Sequence, residues 1–327
     1  MSCNNNQITS FKYLPNSVTI LRCNNNGITS FEDIPINLTE LICNYNQITS
    51  FNHIHSNVNI LHCGHNQITS FEYLKIGLIV LLCNNNQIRS FQYLPIKLTE
   101  LYCSNNQITS FQYIPIGLIK LHCSNNKITS FIHLPVGLIK LSCANNQITS
   151  FIHIPIGLIE LICGNNQLTS FIHLPIGLIE LDCNNNQITS FKFLPNSVTR
   201  LFCDDNLITS FKYIPNSVTK LYCSNNQITN FKYLPSSVIE LYCNNNPIKS
   251  YDDLIILGNI NLDITINNNK IHQNRFNYGL TIISNTYTHN SATKIKRKWQ
   301  NYWYDELIEF DNSMFNRYIL ASWKFMH

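Results

Sequence analysis

Apolar residues return along this chain on a fixed period of twenty. Leu or Val stands at 18, 38, 58 and onward to 238, and Leu at 21, 41, 61 and onward to 241. Cys follows at every twentieth position from Cys3 to Cys243. Ile comes at 8, 28, 48 and onward, with Leu168 the one exception, then Phe from Phe11 to Phe231, with Tyr251 last. Asn lies three residues after every Cys, from Asn6 to Asn246. A fixed period of this length is the mark of a repeat array, in which one unit cannot bury its own apolar side chains and stacking does so.

One unit reads LTELICNYNQITSFNHIHSN from Leu38, with the skeleton L-x-x-L-x-C-x-x-N-x-I-x-x-F-x-x-I. Alternation around Leu41 and Cys43 predicts a short strand with 40 and 42 pointing outward. Strands stacked about 4.8 Å apart make a parallel sheet over one continuous core. Asn46 is placed to turn the chain off the strand. Leu or Ile precedes Pro in ten copies, from Leu14-Pro15 to Leu234-Pro235. Such a return segment suits extended backbone that donates to no ladder. Twenty residues leave little room for a helix opposite the strand.

The skeleton resembles the leucine-rich repeat, L-x-x-L-x-L-x-x-N-x-L, with Cys in the third aliphatic position. LPIKLTELYC at 94–103 is similar to the short bacterial-effector subclass, and LPNSVTILRC, LPNSVTRLFC and IPNSVTKLYC to the FNIP repeats of amoebae. The Asn-rich register resembles the leucine-rich repeat proteins encoded by mimivirus-like giant viruses. The resemblance covers about residues 1–271. It implies a curved parallel solenoid with a mostly extended or irregular convex side, and Asn amides that bond loop backbone inside the coil. It also implies protein recognition, in a host cytoplasm or a virion.

The array fades at INNNKI, 266–271, where Ile266 takes the cysteine column 23 residues after Cys243. This divides the chain into a solenoid of 13–14 repeats over 1–271 and a tail over 272–327. All three Trp lie in the tail. SATKIKRKWQNYWYDELIEF at 291–310 predicts a helix with Ile295, Trp299, Trp303 or Tyr302, and Phe310 on one stripe, and a second helix is expected over 314–323. An amphipathic cap is the expected cover for an open solenoid end.

Charged residues are only 12% of the chain and the net charge is +4, which does not by itself imply a nucleic-acid partner. No apolar run approaches a membrane span, and MSCNNNQITS lacks the features of a signal peptide. An intracellular, reducing setting is therefore expected for the thirteen Cys.

In that setting the cysteine column reads as core packing, since free Cys behaves as a small hydrophobe. Disulfides between rungs or a metal are the alternatives, but no CxxC pair is present. The outward columns carry the candidate chemistry. One holds Glu40, Glu100, Lys120, Lys140, Glu160, Glu180, Arg200, Lys220 and Glu240. The other varies through Arg22, His62, Tyr102, His122, Asp182, Phe202, Tyr222 and Tyr242. Aromatics and charges on the concave side of a rigid sheet are what protein-binding surfaces use, with Tyr102, Phe202, Tyr222 and Tyr242 as candidate anchors. Like charges fall one rung apart at Lys120 and Lys140, Glu160 and Glu180, and Arg200 and Lys220, so an oppositely charged partner is expected to relieve them. Drift on a solvated face is the alternative.

Two further features stand out. Ile132, Ile152 and Ile172 form an apolar strip that could support weak self-association, beside a column of His133, His153 and His173. The basic run Lys294, Lys296, Arg297 and Lys298, with Trp299 and Trp303, could bind calmodulin or an anionic surface instead of capping the solenoid. Catalysis needs unlike groups gathered at one place, whereas ladders of like groups are what this chain supplies. The expectation is a non-enzymatic binding protein without cofactor or metal, and with a structural or virion role as the rival.

Overall fold

A computed structural model describes residues 1–74 and 77–249 in full and the backbone of three later strands. Each coil contributes one three-residue strand: β1 Ile20–Arg22, β2 Glu40–Ile42, β3 Ile60–His62, β4 Val80–Leu82, β5 Glu100–Tyr102, β6 Lys120–His122, β7 Lys140–Ser142, β8 Glu160–Ile162, β9 Glu180–Asp182, β10 Arg200–Phe202, β11 Lys220–Tyr222 and β12 Glu240–Tyr242. They form one parallel sheet in chain order, with equivalent residues level: Leu21 faces Leu41, and Leu41 faces Leu61. Among the contact-defined units of the chain, the one holding the solenoid is Met1–Asn267 with Ile271–Thr281.

β13, Asp263–Ile266, pairs with β12 through Glu240 and Asp263, Leu241 and Ile264, and Tyr242 and Thr265. That register carries Ile266 level with Cys243, as the degenerate INNNKI unit predicts. β14, Asn269–Gln273, and β15, Leu280–Ser284, follow in the sheet order, where the repeat pattern predicts no strand. The helices expected over 291–310 and 314–323 lie outside the described residues.

The apolar columns make one core. Leu41, Cys43, Ile48 and Phe51 are all fully buried, and the same holds in coil after coil. Each fully buried Leu, Ile or Phe is worth about 1.5–3 kcal/mol relative to exposure. The cysteines are free and, apart from half-buried Cys3, buried within this core. Burial is the largest influence on the Cys43 thiol and pushes it well above its ordinary range, and Cys23 and Cys63 add to the effect.

The three residues after each Cys do three different jobs. The first joins coils: the Asn24 side-chain oxygen accepts the Asn44 backbone N–H at 2.8 Å, and Asn44 accepts that of Gly64 at 2.7 Å. The second adopts left-handed backbone in every copy, as at Asn25 with φ 54 and Asn145 with φ 54. Asn tolerates that region better than most residues. The third is a buried bridge. The Asn46 amide donates to the carbonyls of Cys23, Cys43 and Asn44, and its oxygen accepts the Ile28 N–H at 3.0 Å.

The return segment is irregular and consists of two turns per coil. In one coil Ile34 N–H donates to Phe31 and Leu38 N–H to Pro35. The stretch around Pro35 is thus bracketed by turns and is not one extended run, because the chain must fold back within twenty residues. Equivalent rings measure the local pitch. Tyr222 and Tyr242 on the strand face are 4.4 Å apart, while Phe91 and Phe111 on the return wall are 6.2 Å apart. The sheet is therefore the narrow, concave wall.

Candidate binding face

The sequence-predicted residues of the two outward columns all stand on the outward side of β1–β12, flanking the buried central Leu of each strand. Arg22 and Arg200 are exposed, Tyr102 is buried, and the rest are half-buried. The sheet brings them together in two parallel columns. The basic run at 294–298, with Trp299 and Trp303, lies outside the described residues.

In the first column the signs run Glu100, Lys120, Lys140, Glu160, Glu180, Arg200, Lys220, Glu240. Each like-charged pair is flanked by opposite charge. Lys140 Nζ meets Glu160 Oε2 at 2.7 Å, Lys220 Nζ meets Glu240 Oε2 at 2.8 Å, and the Arg200 guanidinium donates to Glu180. This corrects the expectation that an outside charge must relieve the like neighbours. The column relieves itself, because alternating pairs let each long side chain lean toward the unlike rung. Such partly exposed pairs contribute about 0–1 kcal/mol each.

The second column contains two aromatic groups. Phe202, Tyr222 and Tyr242 form a continuous stack with centroid spacings of 4.6 and 4.4 Å. The Tyr222 hydroxyl donates to Glu240 at 2.6 Å. Burial raises Glu240, but hydrogen bonds from Lys220 and Tyr222 outweigh it and hold the carboxyl below its usual value. Tyr102 stacks on His122 at 4.7 Å, with the Lys120 ammonium 5.1 Å from the Tyr102 ring. Tyr102 is only 4% exposed and its hydroxyl donates to Glu100, so it is a poor anchor. Neighbouring long side chains cover it, which its place in the column does not reveal.

Both column histidines are held neutral. Burial, reinforced by Lys120 and Lys140, pushes His122 down to about 3, and burial with Arg22 pushes His62 down to about 4. Asp182 turns toward its own strand end and accepts the Asn184 N–H at 3.1 Å. Ile132, Ile152 and Ile172 are exposed on the return wall, away from the strand face.

A narrow strand wall, a wide irregular wall and an Asn bridge in every coil decide the architecture. The fold is a leucine-rich repeat solenoid. Solved structures share it. YopM from Yersinia enterocolitica superposes with a TM-score of 0.65 at 25% identity, covering 76% of this chain and 60% of that one. The functional domain of InlJ from Listeria monocytogenes, described as including a cysteine ladder, gives 0.63 at 23% identity, covering 81% and 63%. The LRIM1/APL1C complex gives 0.61 at 20% identity, covering 74% and 51%. No family model and no curated protein matches the chain. Among the described residues no helix is long and apolar enough to cross a membrane.

Proposed function

We propose that this solenoid is a non-enzymatic protein-binding module that recognises its partner through the concave strand face. The observation that carries the proposal is the Phe202–Tyr222–Tyr242 stack, set beside the Arg200–Glu180 and Lys220–Glu240 pairs. It combines apolar ring edges with charges already oriented by ion pairing. Aromatic anchors rimmed by paired charges are the usual composition of binding hot spots. Rigidity favours this use, since a preformed surface loses little freedom on binding. Leucine-rich repeat neighbours solved in complexes, such as LRIM1/APL1C, support a protein partner. A host protein as that partner, and an origin in a giant virus, rest on the resemblance of the Asn-rich repeats.

The test is affinity capture from host lysate with the intact chain. Phe202→Ala with Tyr242→Ala is expected to weaken capture at least tenfold, since truncated hot-spot aromatics commonly cost about 2 kcal/mol or more. Truncation at residue 290 is the control. Loss of partners on truncation alone, with the solenoid still folded, would shift the function to the basic run at 294–298.

A further inference from the structure

The return wall changes character along the solenoid. In five successive coils one turn carries an aliphatic residue at its apex: Ile96, Ile116, Val136, Ile156 and Ile176, exposed by 69, 80, 81, 81 and 90%. The same position is polar in most of the other described coils, at Asn16, Ser56, Asn196, Asn216 and Ser236, with Ile36 the exception. Ile132, Ile152 and Ile172 lie four residues earlier, on the adjoining turn, and are 42–48% exposed. Four residues span at most about 14 Å, so these columns are neighbours. No Asp, Glu, Lys or Arg occurs at 111–119, 131–139, 151–159 or 171–179. Exposed aliphatic residues thus line adjoining turns of successive coils, the kind of apolar surface that marks an interaction site.

Charge is segregated around this block. Between 77 and 249 every acidic residue sits on the strand or just after it: Glu100, Glu160, Glu180, Glu240, Asp182, Asp204 and Asp205. The return segments there carry only cations, whereas the coils before 77 carry exposed Glu32, Asp33 and Glu72 on the same wall. Exposed Lys97 adjoins one end of the block, and Lys192, Lys212 and Lys232 continue the Ile132–Ile172 column at the other.

Strain marks the same wall. From His53 to Tyr233 one position per coil has left-handed backbone yet carries a large ring, as at Tyr113 with φ 67, His133 with φ 73, Phe193 with φ 70 and Tyr213 with φ 72. The other left-handed column of this chain uses mostly Asn, which suits that backbone. Here the chain retains strained, exposed rings, and the Lys212 ammonium lies 4.8 Å from the Tyr213 ring. Strain kept in register over many coils points to a use for the rings.

We propose that the return wall docks on an anionic lipid surface. The apical Ile and Val residues enter the headgroup–acyl boundary, Tyr and Phe rings lie at headgroup depth, and Lys97, Lys192, Lys212 and Lys232 meet the lipid charge. Charge complementarity selects this occupant. A second copy packed in the same sense would set lysine against lysine, and two rigid convex walls touch over few rungs. A fluid leaflet accepts protruding tips without matching their shape. The proposal is independent of the strand-face reading and leaves that face open to a protein.

The test uses the intact chain and vesicles of phosphatidylcholine with and without phosphatidylserine, at low and high salt. Flotation with phosphatidylserine vesicles is expected, weakened by salt. Val136→Asp with Ile156→Asp should reduce it at least about tenfold. Lys192→Gln, Lys212→Gln and Lys232→Gln together should reduce it by roughly fivefold per lysine and flatten the salt dependence. Circular dichroism checks the fold of these surface variants. Three outcomes overturn the proposal: no flotation of the unmodified chain, flotation unchanged by the Asp pair, which assigns it to the run at 294–298, or a dimer by light scattering that the Asp pair dissolves, which assigns the patch to a second copy.

Discussion

At residue scale, identical letters conceal different work. The first residue after Cys links coils where it is Asn, as at Asn24 and Asn44. The next supplies left-handed backbone, and the third bridges. Asn146 donates to the carbonyls of Cys123, Cys143 and Ala144 and accepts the Ile128 N–H at 2.9 Å. Asn146→Ala strands a buried N–H and at least one carbonyl, so a loss of about 2–4 kcal/mol is expected in urea unfolding. Asn145→Gly at φ 54 should be neutral within about 0.5 kcal/mol, because glycine enters that region freely. Equal losses at the two sites would contradict the division of labour. The cysteines behave similarly by position: a thiol reagent at pH 8 should label at most Cys3 in the folded chain and all thirteen after denaturation, since the buried thiols are pushed up by desolvation. Sequence alone made the third Asn legible, through its fixed place after Cys. It did not separate the other two, because in NNN all three are alike, and only copies such as Asn44-Tyr45-Asn46 set the columns apart.

At the scale of the element, single rungs set the local chemistry of the face. Strands β5–β7 stack His122 on the Tyr102 ring and bring the Lys120 and Lys140 charges to bear on it. Its folded value of about 3 lies below the unfolded value near 6.5. The unfolded chain therefore binds one more proton between those limits. Stability from neutral His122 is present above pH 6.5 and is lost as pH falls toward 3, by up to about 1.4 kcal/mol per pH unit. His122→Gln should flatten the acid limb of stability against pH, measured by urea midpoints, and an unchanged limb would count against the assignment. Outward placement of these strands was legible from the alternation around Leu121 and Cys123. The ion pairs and the burial of Tyr102 were not, since both depend on which way long side chains lean between rungs.

At the scale of the whole molecule, each coil touches only its neighbours, so stability is close to a sum of coils and interfaces. Deleting one whole unit, residues 132–151, should leave a folded solenoid with a urea m-value reduced roughly in proportion to the surface removed. Collapse of the remaining coils would contradict that additivity. The repeat period made the curved parallel sheet readable at once, down to Ile266 entering the cysteine column. The wide wall was harder to read, because its two turns and its strained rings carry no simple period-two alternation.

The central claim is that a protein partner occupies the concave face. It is tested most directly by hydroxyl-radical footprinting of the captured complex against the free chain. Protection is expected at Phe202, Tyr222 and Tyr242, with Tyr213 and Tyr233 on the return wall oxidised as before. Unchanged oxidation of the Phe202–Tyr242 stack, with protection only at the return-wall rings, would contradict it.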